Sequence, residues 1–258
     1  MIDSYKRLNE YYNKFNEGLR LTRRHGIVEL SVTLHYIKKY SNINKKIIDV
    51  GCGVGRYSDE LTKQGFDVTS VEVTQSNISK AKNFFPDLKI IKADARNLKI
   101  FSDKSFDMVL LLGPIYHCSS YDDRLKIISE AKRILRDDGL IFIAYYLNDY
   151  AIIKHAFIEE KYFELKERID NDFLIKNLND LYCFDTIESI DALNKDSNLK
   201  SIERFSQEYI TDLIRDKINK MSDEMFKLYI DFVISRSNNV NILGASSHIV
   251  DITTKISS

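Results

Sequence analysis

Three carboxylates lie at intervals that suit one ligand. Asp49 stands just ahead of the run Gly51-Cys52-Gly53-Val54-Gly55; Glu72 follows 23 residues later and Asp94 a further 22. Each closes a short apolar run ("KIIDV", "FDVTSVEV", "LKIIKAD"), so each belongs at the end of a buried strand. A carboxylate directly before the glycines repels a pyrophosphate and attracts an ammonium. The glycines let the backbone turn sharply and approach a ligand closely, and the helix after them offers free N–H groups. An acid at the next strand end can accept both hydroxyls of a ribose. A third can accept an exocyclic amine such as that of adenine. A dinucleotide fingerprint fits less well, because its last glycine position is occupied by Arg56.

These acids need a scaffold that aligns strand ends. Over residues 45–147 strand-like runs alternate with helical patterns: "KKIIDV", a helix to about Gln64, "FDVTSVEV", a helix that Ser76 can cap, "LKIIKAD", "FDMVLLLG", the amphipathic "YDDRLKIISEAKRILRDDG" with Gly139 past its end, and "LIFIAYY". Such alternation predicts a parallel sheet wrapped on both faces, with ligands beyond the carboxyl ends of the strands. The whole chain reads as one α/β domain, Rossmann-like and doubly wound, mostly parallel with a C-terminal antiparallel strand. Residues 1–44 form an N-terminal helical cover, 45–150 the core, 151–240 helical inserts over the substrate, and 241–258 the final strand, "SHIVDITT".

"DVGCGVGRYS", "VTSVEV", "ADARNL", "SFDMVLLLGPIYH" and "LRDDGLIFIAYY" resemble, in order and spacing, the successive motifs of class I S-adenosylmethionine (SAM)-dependent methyltransferases. The flanking "YYNKFNEGLRLTRRHGIVEL" and "ASSHIVDI" are similar to a bacterial group within that superfamily. The resemblance implies SAM as methyl donor and S-adenosylhomocysteine as product. It implies that Asp49, Gly51, Cys52, Gly53 and Gly55 hold the methionine part, Glu72 and Val73 the ribose, and Asp94 and Ala95 the adenine, with Leu112 on the cofactor floor. Cys52 is read there as packing.

The acceptor is addressed by Gly113-Pro114-Ile115-Tyr116-His117-Cys118. Methyltransferases acting on base amines carry a polar residue where this chain has Gly113, so the expectation is a small-molecule acceptor, methylated at oxygen or nitrogen. Tyr116 offers a stacking face. His117 is the first candidate for a base, because imidazole titrates in the useful range; His248 is the second. Tyr12, Arg20 and His25 from the N-terminal segment, and Tyr145 after the fifth strand, are candidates for the substrate pocket. Alternation alone does not decide between Tyr145 and Tyr146. Arg20, Arg23 and Arg24 would make a cationic rim or a solvated helix face.

Composition narrows the classes. Lys plus Arg equals Asp plus Glu at 38 each, which argues against nucleic acid as partner. No apolar run is long enough to span a membrane. Three cysteines (Cys52, Cys118, Cys183) without CxxC spacing suggest a cytoplasmic protein without a zinc site, and no metal cluster is visible. An RNA methyltransferase, a SAM-binding protein without turnover and an NAD-dependent oxidoreductase are the rival readings. Oligomeric state is not readable.

Overall fold

The computed structural model describes residues 21–42, 45–176, 181–244 and 246–256. Among these, strands β1 (Lys46–Val50), β2 (Asp67–Glu72), β3 (Ile90–Lys92), β4 (Phe106–Leu111), β5 (Leu135–Leu147), β6 (Phe184–Asp185), β7 (Leu199–Ser206) and β8 (His248–Lys255) form one sheet. Its order is β3-β2-β1-β4-β5-β8-β7, with β6 on the end of β5. The first five strands are parallel, whereas β8 runs antiparallel to both β5 and β7. The Rossmann-like expectation and its antiparallel C-terminal strand therefore hold. Within residues 151–240, the run "LKSIERF" lies in Leu199–Ser206, a strand at one edge of the sheet.

Strand order reverses between β1 and β4, so the loops after these two strands diverge and leave a crevice. Both strands are buried on both faces. Ile47 packs with Val28, Ile37 and Phe205 on one side; Ile48 packs with Val109, Ile127 and Ile128 on the other. Hence their sequences read as unbroken apolar runs instead of alternating ones.

Helices α1 (Arg24–Lys39), α2 (Arg56–Lys63), α3 (Gln75–Phe84), α4 (Tyr121–Ile134), α5 (Ile187–Asp196) and α6 (Asp223–Arg236) cover the sheet, joined by shorter turns and a π-helical segment at Ile152–Ile158. Caps explain several starts. The Ser120 hydroxyl accepts from the Asp123 N–H, Thr186 and Ser189 form a capping box, and Ser222 accepts from Met225. Ser76 caps nothing. Helix α3 starts at Gln75 behind Thr74, whose hydroxyl is turned to the Glu72 carboxylate instead. Helix α4 also stops earlier than "RILRDDG" suggests, because Leu135 already enters β5 and Arg136–Gly139 are strand. The α1–α6 contact uses Arg24, which pairs with Asp223 at 2.6 Å and lies 5.0 Å from the Phe226 ring centroid. That arginine is a clamp between helices.

Candidate active site

The glycine loop leaves β1 at the crevice. Gly51 and Gly53 take φ of +74° and +59°, a region that side chains disfavour. A Cβ on Gly51 would lie 2.7 Å from the Pro114 ring after β4, whereas one on Gly53 would meet no atom within 4 Å. The first glycine lets two loops touch; the second leaves open space over the backbone. Gly55 is buried, donates its N–H to the Cys52 carbonyl at 2.9 Å and precedes α2.

Asp49 is only 2% exposed beneath this loop. Its Oδ2 accepts from the Ser58 hydroxyl at 2.6 Å, and among the described residues no cation pairs with it. Burial, with the nearby Glu72 charge as a smaller cause, pushes its carboxyl up to about 6. A buried acid without a cation, next to an open backbone cradle, fits a ligand that ends in an ammonium.

Glu72 is also buried. Its Oε1 accepts from the N–H groups of Val73 and Thr74 and from the Thr74 hydroxyl; its Oε2 accepts from the Gly53 N–H at 2.9 Å. The side chain ties the glycine loop to β2, and only Oε2 has capacity for a further donor. Desolvation raises the Glu72 carboxyl, opposed by those bonds. Asp94 carries a fork from Arg96, with Nη2 at 2.8 Å, and the same guanidinium reaches Asp123 at 2.8 Å. Val73 and Ala95, each next in sequence to one of these acids, and Leu112, which follows β4, are half-buried. Burial drives the Cys52 thiol well up, which suits the packing role expected of it.

The loop after β4 carries the link to the acceptor side. A Cβ on Gly113 would lie 3.6 Å from the Gly51 carbonyl and 3.8 Å from the Tyr116 hydroxyl. That hydroxyl donates to the Leu112 carbonyl at 2.9 Å. The Tyr116 ring in turn meets His117 (4.7 Å between centroids), His248 (5.2 Å) and Tyr182 (6.3 Å). His248 stacks on Tyr146 at 4.7 Å, and Tyr146 also contacts Phe184 and Tyr182. So Tyr116, His117 and His248 come together in one aromatic cluster one ring away from the glycine loop.

Sheet pairing explains the convergence. Tyr146 of β5 faces His248 of β8 in register, at the carboxyl end of β5. His117 is anchored by its Nδ1–H, which donates to the Leu181 carbonyl at 2.8 Å, and Tyr116 accepts from the Cys183 N–H at 2.7 Å. These two bonds seat the stretch that carries Tyr182 and Phe184. Tyr145, by contrast, is fully buried in the core on the other face, so Tyr146 takes the place expected of it. His25 bonds to Asn219, whose Oδ1 accepts from its backbone N–H at 3.2 Å and lies 3.0 Å from its ring Nδ1. Tyr12 and Arg20 lie outside the described residues. Cys118 points its thiol at the Ser120 carbonyl, and burial raises it.

Glu208, after β7, escaped the sequence reading. It is buried, accepts from the Ser247 hydroxyl, and lies 3.3 Å from His248 Nδ1. Desolvation raises its carboxyl, with the facing acids Glu29 and Asp212 adding to the effect and His248 opposing it. Its only sequence signal is an acid just beyond an edge strand, which many surface acids share.

Residues 48–143 match the family model for a methyltransferase domain. A ubiquinone biosynthesis O-methyltransferase of Rickettsia bellii is 29% identical over 150 residues, covering 55% of this chain and 60% of the relative. Its namesake in Rickettsia akari is 35% identical over 115 residues, 44% of each chain. The chain thus spans about half the length of the curated relatives it matches. In fold it is similar to a protein of Pyrococcus horikoshii (TM-score 0.62, 18% identity, 96% of this chain and 99% of that one). It is also similar to a SAM-dependent methyltransferase from Archaeoglobus fulgidus (TM-score 0.59, 17% identity, 95% and 100%). No helix among the described residues is long and apolar enough to cross a membrane.

Proposed function

We propose that this chain, which carries a class I SAM-dependent methyltransferase domain over residues 48–143, transfers the methyl group of SAM to a small-molecule acceptor at oxygen or nitrogen. The observation that carries the reading is the position of Tyr116. Its hydroxyl lies beside Gly113, whose other neighbour is the Gly51 carbonyl, while its ring joins the cluster of Tyr182 and His248. A cofactor side and an acceptor side therefore share one residue. The shared name of the Rickettsia relatives supports oxygen.

Bound SAM supplies an electrophilic methyl carbon on a cationic sulfur. Asp49 would take its ammonium, with the open backbone at Gly53 beside it. Glu72 Oε2 would take a ribose hydroxyl and Asp94 the adenine amine, with Val73, Ala95 and Leu112 against the flat surfaces. Rate enhancement would come mainly from holding the acceptor in line and close.

Thermal unfolding with SAM, S-adenosylhomocysteine and NADH tests the cofactor assignment. Either adenosyl ligand at a hundred times its dissociation constant should add about 2.7 kcal/mol of stability, and NADH nothing. A shift with NADH alone would overturn the assignment.

The Arg96 fork leads to a smaller expectation. Asp94 and Arg96 are each about a quarter exposed (28% of each side chain), so the pair adds little stability. Arg96→Ala should change unfolding stability by less than about 1 kcal/mol. It should tighten SAM severalfold by calorimetry, because Asp94 no longer exchanges one partner for another. Weaker binding would mean that the fork holds Asp94 in its binding position.

A further inference from the structure

We infer that Glu208, Ser247 and His248 form a proton-accepting relay and that the acceptor is a hydroxyl on a flat ring, a phenol or enol. The inference rests on the methyltransferase reading and names the substrate class of that same site.

His248 Nδ1 lies 2.8 Å from Ser247 Oγ and 3.3 Å from Glu208 Oε1. The Ser247 hydroxyl gives its own proton to Glu208, so its oxygen is left to accept. An ionised carboxylate also only accepts. Both neighbours therefore call for a proton on Nδ1, which leaves the lone pair on Nε2. Nε2 makes no hydrogen bond with any described residue, and the side chain keeps 17% exposure. Tyr116 and Tyr146 pack on the ring at 5.2 and 4.7 Å, so the base sits in an aromatic wall, surroundings that suit a planar acceptor. Behind Glu208 stand two more acids, Glu29 and Asp212, the latter paired with Lys154.

A buried carboxylate behind an imidazole serves one kind of chemistry. A neutral amine attacks with its own lone pair and can shed its proton afterwards. A hydroxyl attacks poorly until its proton leaves. In the proposed step the acceptor oxygen forms a bond to the methyl carbon. The carbon–sulfur bond breaks, and its electron pair stays on sulfur. The hydroxyl proton passes to His248 Nε2, and the resulting imidazolium is balanced by Glu208 until solvent takes the proton. His248 is the base; Glu208 and Ser247 are positioning residues that fix its tautomer.

Two readouts test this. With S-adenosylhomocysteine present at mildly acidic pH, 4-nitrophenol should bind to the wild-type protein as its yellow phenolate. The phenolate band should fall at least fivefold in His248→Gln and in Glu208→Gln, while both variants keep their S-adenosylhomocysteine thermal shift. In turnover with SAM, catechol, which is un-ionised at neutral pH, should lose about a hundredfold in rate in His248→Gln and about tenfold in Glu208→Gln. 4-Nitrocatechol, already ionised, should lose much less. Binding of neutral 4-nitrophenol, equal losses for both catechols, or no binding and no turnover of any of these phenols by a protein that still binds S-adenosylhomocysteine would overturn the relay. In each of those cases the methyltransferase reading stands. Failure of S-adenosylhomocysteine itself to bind would sink both.

Discussion

Asp49→Asn should abolish detectable SAM binding and make the ligand-free protein more stable at neutral pH. Both halves follow from one burial. The Asp49 carboxyl is raised from its ordinary 3.8 to about 6, chiefly by desolvation. The folded protein therefore holds this proton more tightly than the unfolded chain does. As pH rises from about 4 to about 6, the unfolded chain releases the proton first, and stability falls through that window. Above it the ionised carboxylate costs about 3 kcal/mol; below it the cost is gone. Asparagine keeps an oxygen for the Ser58 hydroxyl and carries no charge, so urea unfolding of the variant should lack this component of the pH dependence. The ammonium of the ligand offsets the cost in the wild type, which is why affinity should strengthen as pH rises through about 6. A variant that is less stable than wild type at neutral pH, or that still binds SAM, would remove Asp49 from the role of ammonium partner.

That acid was legible because its meaning is local. An apolar run, a carboxylate and glycines at every second position describe a strand end and a turn without reference to the rest of the chain. Glu72 and Asp94 were legible for the same reason, and so was the parallel core. What the structure adds is non-local. Tyr146, not Tyr145, faces His248, and the antiparallel pairing of β5 with β8 decides this across about a hundred residues of intervening chain. Glu208 matters only because that pairing lays Ser247 and His248 beside it. Tyr182 reaches the cluster because the backbone carbonyls of Leu181 and Tyr116 accept from the His117 ring and the Cys183 N–H, acceptors that leave no mark on residue type. The sequence extends helix α4 too far because "RDDG" has the composition of a helix end, whereas Leu135 already pairs with Phe106 and Leu140 with Met108, across a shift of register.

Gly51 and Gly53 should separate the architecture of the loop from its use. Both have positive φ, so alanine at either position costs on the order of 1 kcal/mol in backbone strain. At Gly51 a second penalty arises. The new methyl would sit 2.7 Å from Pro114 Cγ and 3.0 Å from Cδ, in a ring that cannot swing aside, so the loops after β1 and β4 must part. Overpacking of this kind costs a further 1–3 kcal/mol or so. Gly51→Ala should therefore lose about 2–4 kcal/mol of unfolding stability together with SAM binding. At Gly53 the methyl meets no protein atom within 4 Å. Gly53→Ala should lose only the strain term, yet weaken SAM by at least about a hundredfold, because the methyl occupies the space over the backbone where the ligand's amino-acid end is placed. Urea unfolding gives the first quantity and calorimetry the second. Should Gly53→Ala bind as tightly as wild type, the cradle does not hold the ligand, and the amino-acid end must lie elsewhere along the crevice. Should Gly51→Ala keep full stability, the contact between the two loops is not what closes the switch point. The pair of results locates the cofactor on one peptide, since only a ligand lying over Gly53 makes the milder fold defect the more severe binding defect.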